Sequence, residues 1–129
     1  MQKEIVEICP CCGQRTIKRR HCLNAILVRA LSVLAAEGNG CAKLREIEPF
    51  LNKSEYNNFQ KLQYFGLIEK IPRTRYWKIT EVGVNFLNGN TAAPSYVWVR
   101  NKMVLDTMIG PGIYVNDARL LTSENEMEI

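Results

Sequence analysis

Histidine occurs once in this chain, at position 21, so no two histidines can sit one turn apart on a helix and grip a catalytic metal. A glycine-rich phosphate loop is missing, and so is the Gly-x-Ser-x-Gly turn that presents a nucleophilic serine. His21 has no neighbouring Ser, Asp or Glu pattern to serve as a general base. These absences argue against an enzyme. No apolar run approaches the ~18 to 20 residues that cross a bilayer. The opening residues Met1-Gln2-Lys3-Glu4 lack a basic stretch followed by a purely apolar one. The chain is therefore expected to be cytoplasmic and to stay off the membrane.

Of the five cysteines, four fall between Cys9 and Cys22. An odd number leaves one thiol over in any full set of disulfides, and in a cytoplasmic chain such crowding points to metal before a disulfide framework. Glu4–Ile8 reads as a short strand, Cys9-Pro10-Cys11-Cys12-Gly13 as a tight turn, and Gln14 to Lys18 as a returning strand. Two thiolates with two residues between them can bite one tetrahedral ion, and the glycine lets the turn close around it. The second pair is less obvious. Neighbouring residues rarely reach one ion together, so the candidate ligands are Cys9, Cys12 and Cys22 with either His21 or Cys41. A plain hairpin without metal reads equally well. A redox pair would need a helix N-terminus to activate a thiol, and none is visible.

The net charge of +4 is unevenly spread. Residues 1–22 carry +3, residues 23–50 are neutral, residues 51–78 carry +4 and residues 79–129 carry −3. Attraction for phosphate would be concentrated in the first and third of these segments.

Leu23 to Ala36 is rich in Ala and Leu and stops at Gly38-Asn39-Gly40, which predicts a helix. Only Asn24, Arg29 and Ser32 interrupt its apolar surface, so it should be buried on most sides, by the ends of the chain or by a second copy. Cys41 to Leu51 predicts a second, short helix limited by Pro49. Ser54 is placed to cap a third, whose apolar row is Tyr56, Phe59, Leu62 and Phe65 and which ends at Gly66. Glu55, Asn57, Asn58, Gln60 and Lys61 should form its exposed face. Two β-rich runs follow, Leu67 to Ile71 and Tyr76 to Ile79, joined by Pro72-Arg73-Thr74-Arg75. Thr80 should cap a closing helix with Val82, Phe86 and Leu87 in the core.

The order helix, glycine, strand, basic turn, strand resembles the winged helix-turn-helix family, particularly its MarR-like and PadR-like branches. The likeness lies in Lys61-Leu62-Gln63-Tyr64-Phe65-Gly66-Leu67-Ile68-Glu69-Lys70 and Tyr76-Trp77-Lys78-Ile79-Thr80-Glu81-Val82-Gly83 and spans residues 23 to 88. It implies binding to double-stranded DNA, with the helix after Ser54 in the major groove and the wing on the adjacent backbone or minor groove. The residues it nominates are Asn57, Asn58 and Lys61 on the helix and Lys70, Arg73, Arg75 and Lys78 on the wing. Asn offers paired bonds to adenine edges, and Lys and Arg reach phosphate or guanine. A homodimer over two half-sites is the usual form of such regulators. The Cys-Pro-x-Cys-Gly knuckle resembles those of zinc ribbons and rubredoxins, which implies a structural zinc on Cys9 and Cys12, its other half supplied by Cys22 with His21 or Cys41. The layout as a whole also resembles uncharacterised phage and prophage proteins.

Asn88 to Ser95 has a linker's composition. Tyr96 to Arg100 and Met103 to Asp106 predict a hairpin, Ile113 to Val115 a third strand, and Asn116 or Asp117 a cap for a last turn, before an acidic tail. The expected fold is α+β: a β-hairpin knuckle over 1–22, a winged helix-turn-helix over 23–88 and a β appendage over 89–129. The expected function is a DNA-binding transcriptional regulator. The alternative is a protein-binding module, such as a phage-encoded inhibitor of a host protein or nucleoprotein complex.

Overall fold

The computed structural model describes residues 4–8, 15–100 and 103–121 of the chain. The chain opens with an antiparallel hairpin, β1 (Glu4–Ile8) and β2 (Arg15–Cys22). The turn that joins these strands lies outside the described residues, and Cys9 and Cys12 with it. Asn24 then caps α1 (Ala25–Ala36) by accepting from the Leu27 N–H at 3.2 Å. Asn39 (φ 52°) and Gly40 (φ 82°) turn the chain after it.

Cys41 to Lys43 departs from the expected helix. These residues form a short strand, β3 (Cys41–Lys43), paired with a strand far ahead in sequence, and only α2 (Leu44–Ile47) and a 3-10 turn with Pro49 in its first turn remain helical. The next cap is also one turn element earlier than expected. Asn52, not Ser54, accepts from the Glu55 N–H at 2.8 Å, and Glu55 returns the bond to the Asn52 N–H at 2.9 Å. This reciprocal pair opens α3 (Lys53–Asn58), which tightens into a 3-10 segment over Phe59–Phe65. At three residues per turn, Phe59, Leu62 and Phe65 fall in line. All three are buried, whereas Tyr56, in α3 before the helix tightens, is exposed. Gly66 closes the segment in the left-handed conformation, φ 74°.

A second hairpin follows, β4 (Ile68–Lys70) and β5 (Tyr76–Ile79), and β3 joins β5 on its other side to give a three-stranded sheet. Trp77 and Ile79 face the core while Tyr76 and Lys78 face out, the alternation a half-buried strand requires. Thr80 caps α4 (Glu81–Leu87), accepting from the Gly83 N–H at 3.0 Å and donating to the Gly66 carbonyl at 2.6 Å. A Cβ on Gly83 would lie 2.3 Å from the Leu67 carbonyl oxygen, so only glycine lets α4 approach so closely. Phe86 is buried as expected. Val82 is not: it is 47% exposed, because α4 is short and turns one narrow face inward.

The presumed linker contains β6 (Ala93–Pro94). After it come β7 (Tyr96–Arg100), β8 (Met103–Ile109), β9 (Gly112–Ile113) and α5 (Val115–Ala118). β9 pairs with β6 and does not extend the hairpin. Tyr114 precedes α5 without a side-chain cap, in place of Asn116 or Asp117. The two ends of the chain meet: β7 pairs with β2 and gives a four-stranded sheet in the order β1-β2-β7-β8.

The architecture is thus mixed α+β with small sheets around one core. Leu27, Val28, Ala30, Leu31 and Leu34 of α1 lie at its centre, and the cover comes from within the chain: α3, the 3-10 segment, α4, β5 and α5 all pack on this helix. Two backbone bonds fasten its start, Leu23 N–H to Ser95 O at 2.9 Å and Ala25 N–H to Leu121 O at 2.7 Å. Among the described residues no helix is long and apolar enough to cross a membrane.

Glu55 also departs from expectation. It is buried, and its carboxylate accepts from Arg29 on α1 at 3.2 Å. Since the Arg29 side chain is mostly exposed, the ion pair is worth about 1 kcal/mol, and the cap contributes about as much again. Glu55→Gln, which can keep the cap, should lower unfolding free energy by about 1 kcal/mol. Glu55→Ala should lower it by about 2 kcal/mol, both read from urea midpoints.

Candidate functional site

In the 3-10 segment Gln60 and Gln63 stand in line on a different side from Phe59, Leu62 and Phe65, Asn57 precedes them in α3, and all three are exposed. Across from this row stands the β4–β5 hairpin. Lys70 is paired with Trp77 in the ladder and shares its face. Between helix and hairpin lies an open groove of about 440 Å³, bounded by Gln60 and Gln63, by Lys70, Arg75 and Trp77, and by Lys43, Leu44 and Arg45 from the β3–α2 corner. Four of these residues are cationic and none is acidic.

The nominated residues divide. Asn57, Lys70, Arg73 and Arg75 are exposed on this side of the molecule or at the hairpin tip. Asn58 is half-buried, and its amide donates to the Ser54 carbonyl of its own helix at 2.7 Å. Lys61 is half-buried. Lys78 is exposed, but it aligns with Glu69 and Cys41 on its neighbouring strands and therefore lies on the other face of the hairpin from Lys70. Glu55, expected among the exposed residues, is the buried cap described above. Lys43 and Arg45 were not nominated. They sit in the neutral segment of the sequence, and only the pairing of β3 with β5 carries them to the groove.

The hairpin tip is held by a closed turn. The Thr74 N–H donates to the Ile71 carbonyl at 3.2 Å, the Thr74 hydroxyl donates to the same oxygen at 2.8 Å, and the Tyr76 N–H donates to that hydroxyl at 3.1 Å. Pro72 takes the second position of the turn, where its fixed φ fits. Arg73 takes the third with φ 66°, the left-handed value of a type II turn that glycine or asparagine ordinarily supplies. The guanidinium is thus presented at the tip by a backbone that an L-side chain adopts at a cost of about 1 kcal/mol.

Of the expected metal ligands, His21, Cys22 and Cys41 are among the described residues. Cys22 is fully buried in the core, and His21 stacks on Tyr64 of the 3-10 segment, ring centroids 5.4 Å apart and 15° from parallel. His21 and Cys22 are consecutive on β2, where neighbouring side chains point to opposite faces. Cys41 is exposed on β3. Among the described residues no three His, Cys, Asp or Glu side chains gather as a metal site. Cys9 and Cys12 lie outside the described residues.

Comparison with protein-family models, curated proteins and solved structures finds no match to this chain.

Replacing Arg73 by glycine or asparagine should relieve the turn and raise the unfolding free energy by about 0.5 kcal/mol, read from the denaturant midpoint. Arg73→Ala keeps the unfavourable φ and should bring no gain.

Proposed function

We propose that residues 25–87 act as a winged helix-turn-helix that binds double-stranded DNA in the role of a transcriptional regulator. In this reading α3 and its 3-10 extension are the recognition helix, and the β4–β5 hairpin is the wing. One observation carries it: Gln60 and Gln63 of the helix and Lys70 and Arg75 of the hairpin open onto the same groove, with no carboxylate among the residues that line it.

The chemistry on the two sides is complementary. Asn57, Gln60 and Gln63 offer paired donor and acceptor groups of the kind that matches an adenine edge. Lys70, Arg73 and Arg75 supply positive charge for phosphate oxygens, and the arginine fork can hold two of them at once. Arg29, Glu55 and Asn52 stand behind the helix and fix its start against α1, so the row reaches a partner from a rigid base. The pair is a positioning device and touches no ligand.

Binding of the full chain to a fluorescently labelled random duplex should be measurable at about 50 mM salt and weaken at least roughly tenfold by about 200 mM, as bound counterions are released. Complex formation that ignores salt, or no complex at the lower concentration, would contradict the proposal. Asn57→Ala with Gln60→Ala should leave this nonspecific affinity nearly unchanged and reduce discrimination between selected and random sequences.

A further inference from the structure

Lys70 and Arg75 bring uncompensated charge to the groove: both are exposed, and neither forms an ion pair among the described residues. Glu69 takes the other face of the hairpin, aligned with Lys78. No carboxylate lines the groove, while Gln60 and Gln63 add amide N–H donors from the helix side. Cations and neutral donors with no acid among them suit carboxylates as well as phosphates.

The matching acid is in the same chain. Residues 122–129, Thr-Ser-Glu-Asn-Glu-Met-Glu-Ile, hold Glu124, Glu126 and Glu128 and no Lys or Arg. In an extended backbone that alternation sets the three carboxylates along one side, about 7 Å apart. The segment follows Leu121, whose carbonyl accepts from the Ala25 N–H at 2.7 Å at the start of α1. Four residues before Ala25, His21 stacks on Tyr64, the chain neighbour of Gln63.

We infer that residues 122–129 dock in this groove, their glutamates against Lys70, Arg75 and the amides of Gln60 and Gln63, and keep it filled until a stronger polyanion displaces them. The docking stands on the charge of the groove; its consequence, a chain that restrains its own binding to DNA, rests on the duplex-binding reading above. Eight residues span up to roughly 28 Å when extended, against about 18 Å for the whole of α1, a reach that covers the route past His21 and Tyr64 to the Gln63 edge. Exposed ion pairs are individually weak. Tethering offsets this, because a short linker gives an effective concentration of millimolar order. An untethered affinity of about 0.1 mM then fills the groove roughly nine times in ten, and the apparent affinity for duplex falls about tenfold.

Glu124→Gln, Glu126→Gln and Glu128→Gln together, in the full chain, remove the charge without shortening the segment. With no DNA present and at about 50 mM salt, this variant should differ from wild type in the NMR shifts of the Lys70 and Arg75 backbone amides and the Gln60 and Gln63 side-chain amides, and about 500 mM salt should erase the difference. Its affinity for random duplex at the lower salt should exceed that of wild type by about tenfold. With Lys70→Gln and Arg75→Gln already in place, the same three substitutions should gain less than about twofold, since the groove no longer holds the segment. Groove amides that stay where they are in wild type would overturn the inference and leave the duplex reading standing. An affinity gain that persists in full without Lys70 and Arg75 would overturn it too, by assigning the effect to overall charge. Groove amides that move as expected in a chain that binds no duplex would uphold the docking and remove the duplex reading.

Discussion

The carboxylate of Glu55 joins three pieces of chain: α1, the turn before α3 and the start of α3 itself. It returns the capping bond to Asn52, it receives the guanidinium of Arg29, and through that guanidinium, which also reaches the Phe50 carbonyl at 3.4 Å, it secures the turn before α3. A buried acid left alone would be costly. Here cap and ion pair together satisfy it, and the start of α3 is locked to α1 as a result. From that anchor the helix tightens to three residues per turn, which sorts its side chains into a buried aromatic and aliphatic row and an exposed polar one. The groove with its polar row and cations stands on this geometry.

The second constraint is closure of the two chain ends. β2 and β7 pair across most of the sequence, and the sheet they make lies against the 3-10 segment through the stacked rings of His21 and Tyr64. Segments that read as separate appendages at either end are thereby one unit. The cover they help provide, with α5, accounts for the apolar circumference of α1 within a single chain. The proposed interface is on the strands and helices of the central segment, and none of the described residues of the four-stranded sheet lines the groove.

Much of this was legible where one residue type has one physical use. Gly66 is left-handed, Thr80 caps α4, Phe59, Leu62, Phe65 and Phe86 are core, and Trp77 faces in while Tyr76 faces out. The misreadings share a cause: the deciding partner was remote or one of two equivalent choices. Asn52 and Ser54 are both good caps, and the choice between them turned on Glu55 being paired with Arg29, a residue 26 positions earlier. Cys41-Ala42-Lys43 carries no strand signal of its own and becomes extended because β5 offers it a ladder. Lys43 and Arg45 were overlooked for the same reason, since a charge count along the chain assigns their segment no net charge. Val82 looked apolar enough for the core, but a helix of seven residues has room for only one buried face.

The central claim is that one continuous surface, formed by the β3–α2 corner, the polar row and the hairpin, receives duplex DNA. Amide chemical-shift changes in the ¹⁵N-labelled full chain, titrated with a random duplex at low salt, test it most directly. The account predicts changes concentrated in residues 43–45, 57–63 and 70–76, with β1, β8 and α5 left quiet. Changes centred on the sheet of the chain ends, or none in the groove at saturating duplex, would contradict it.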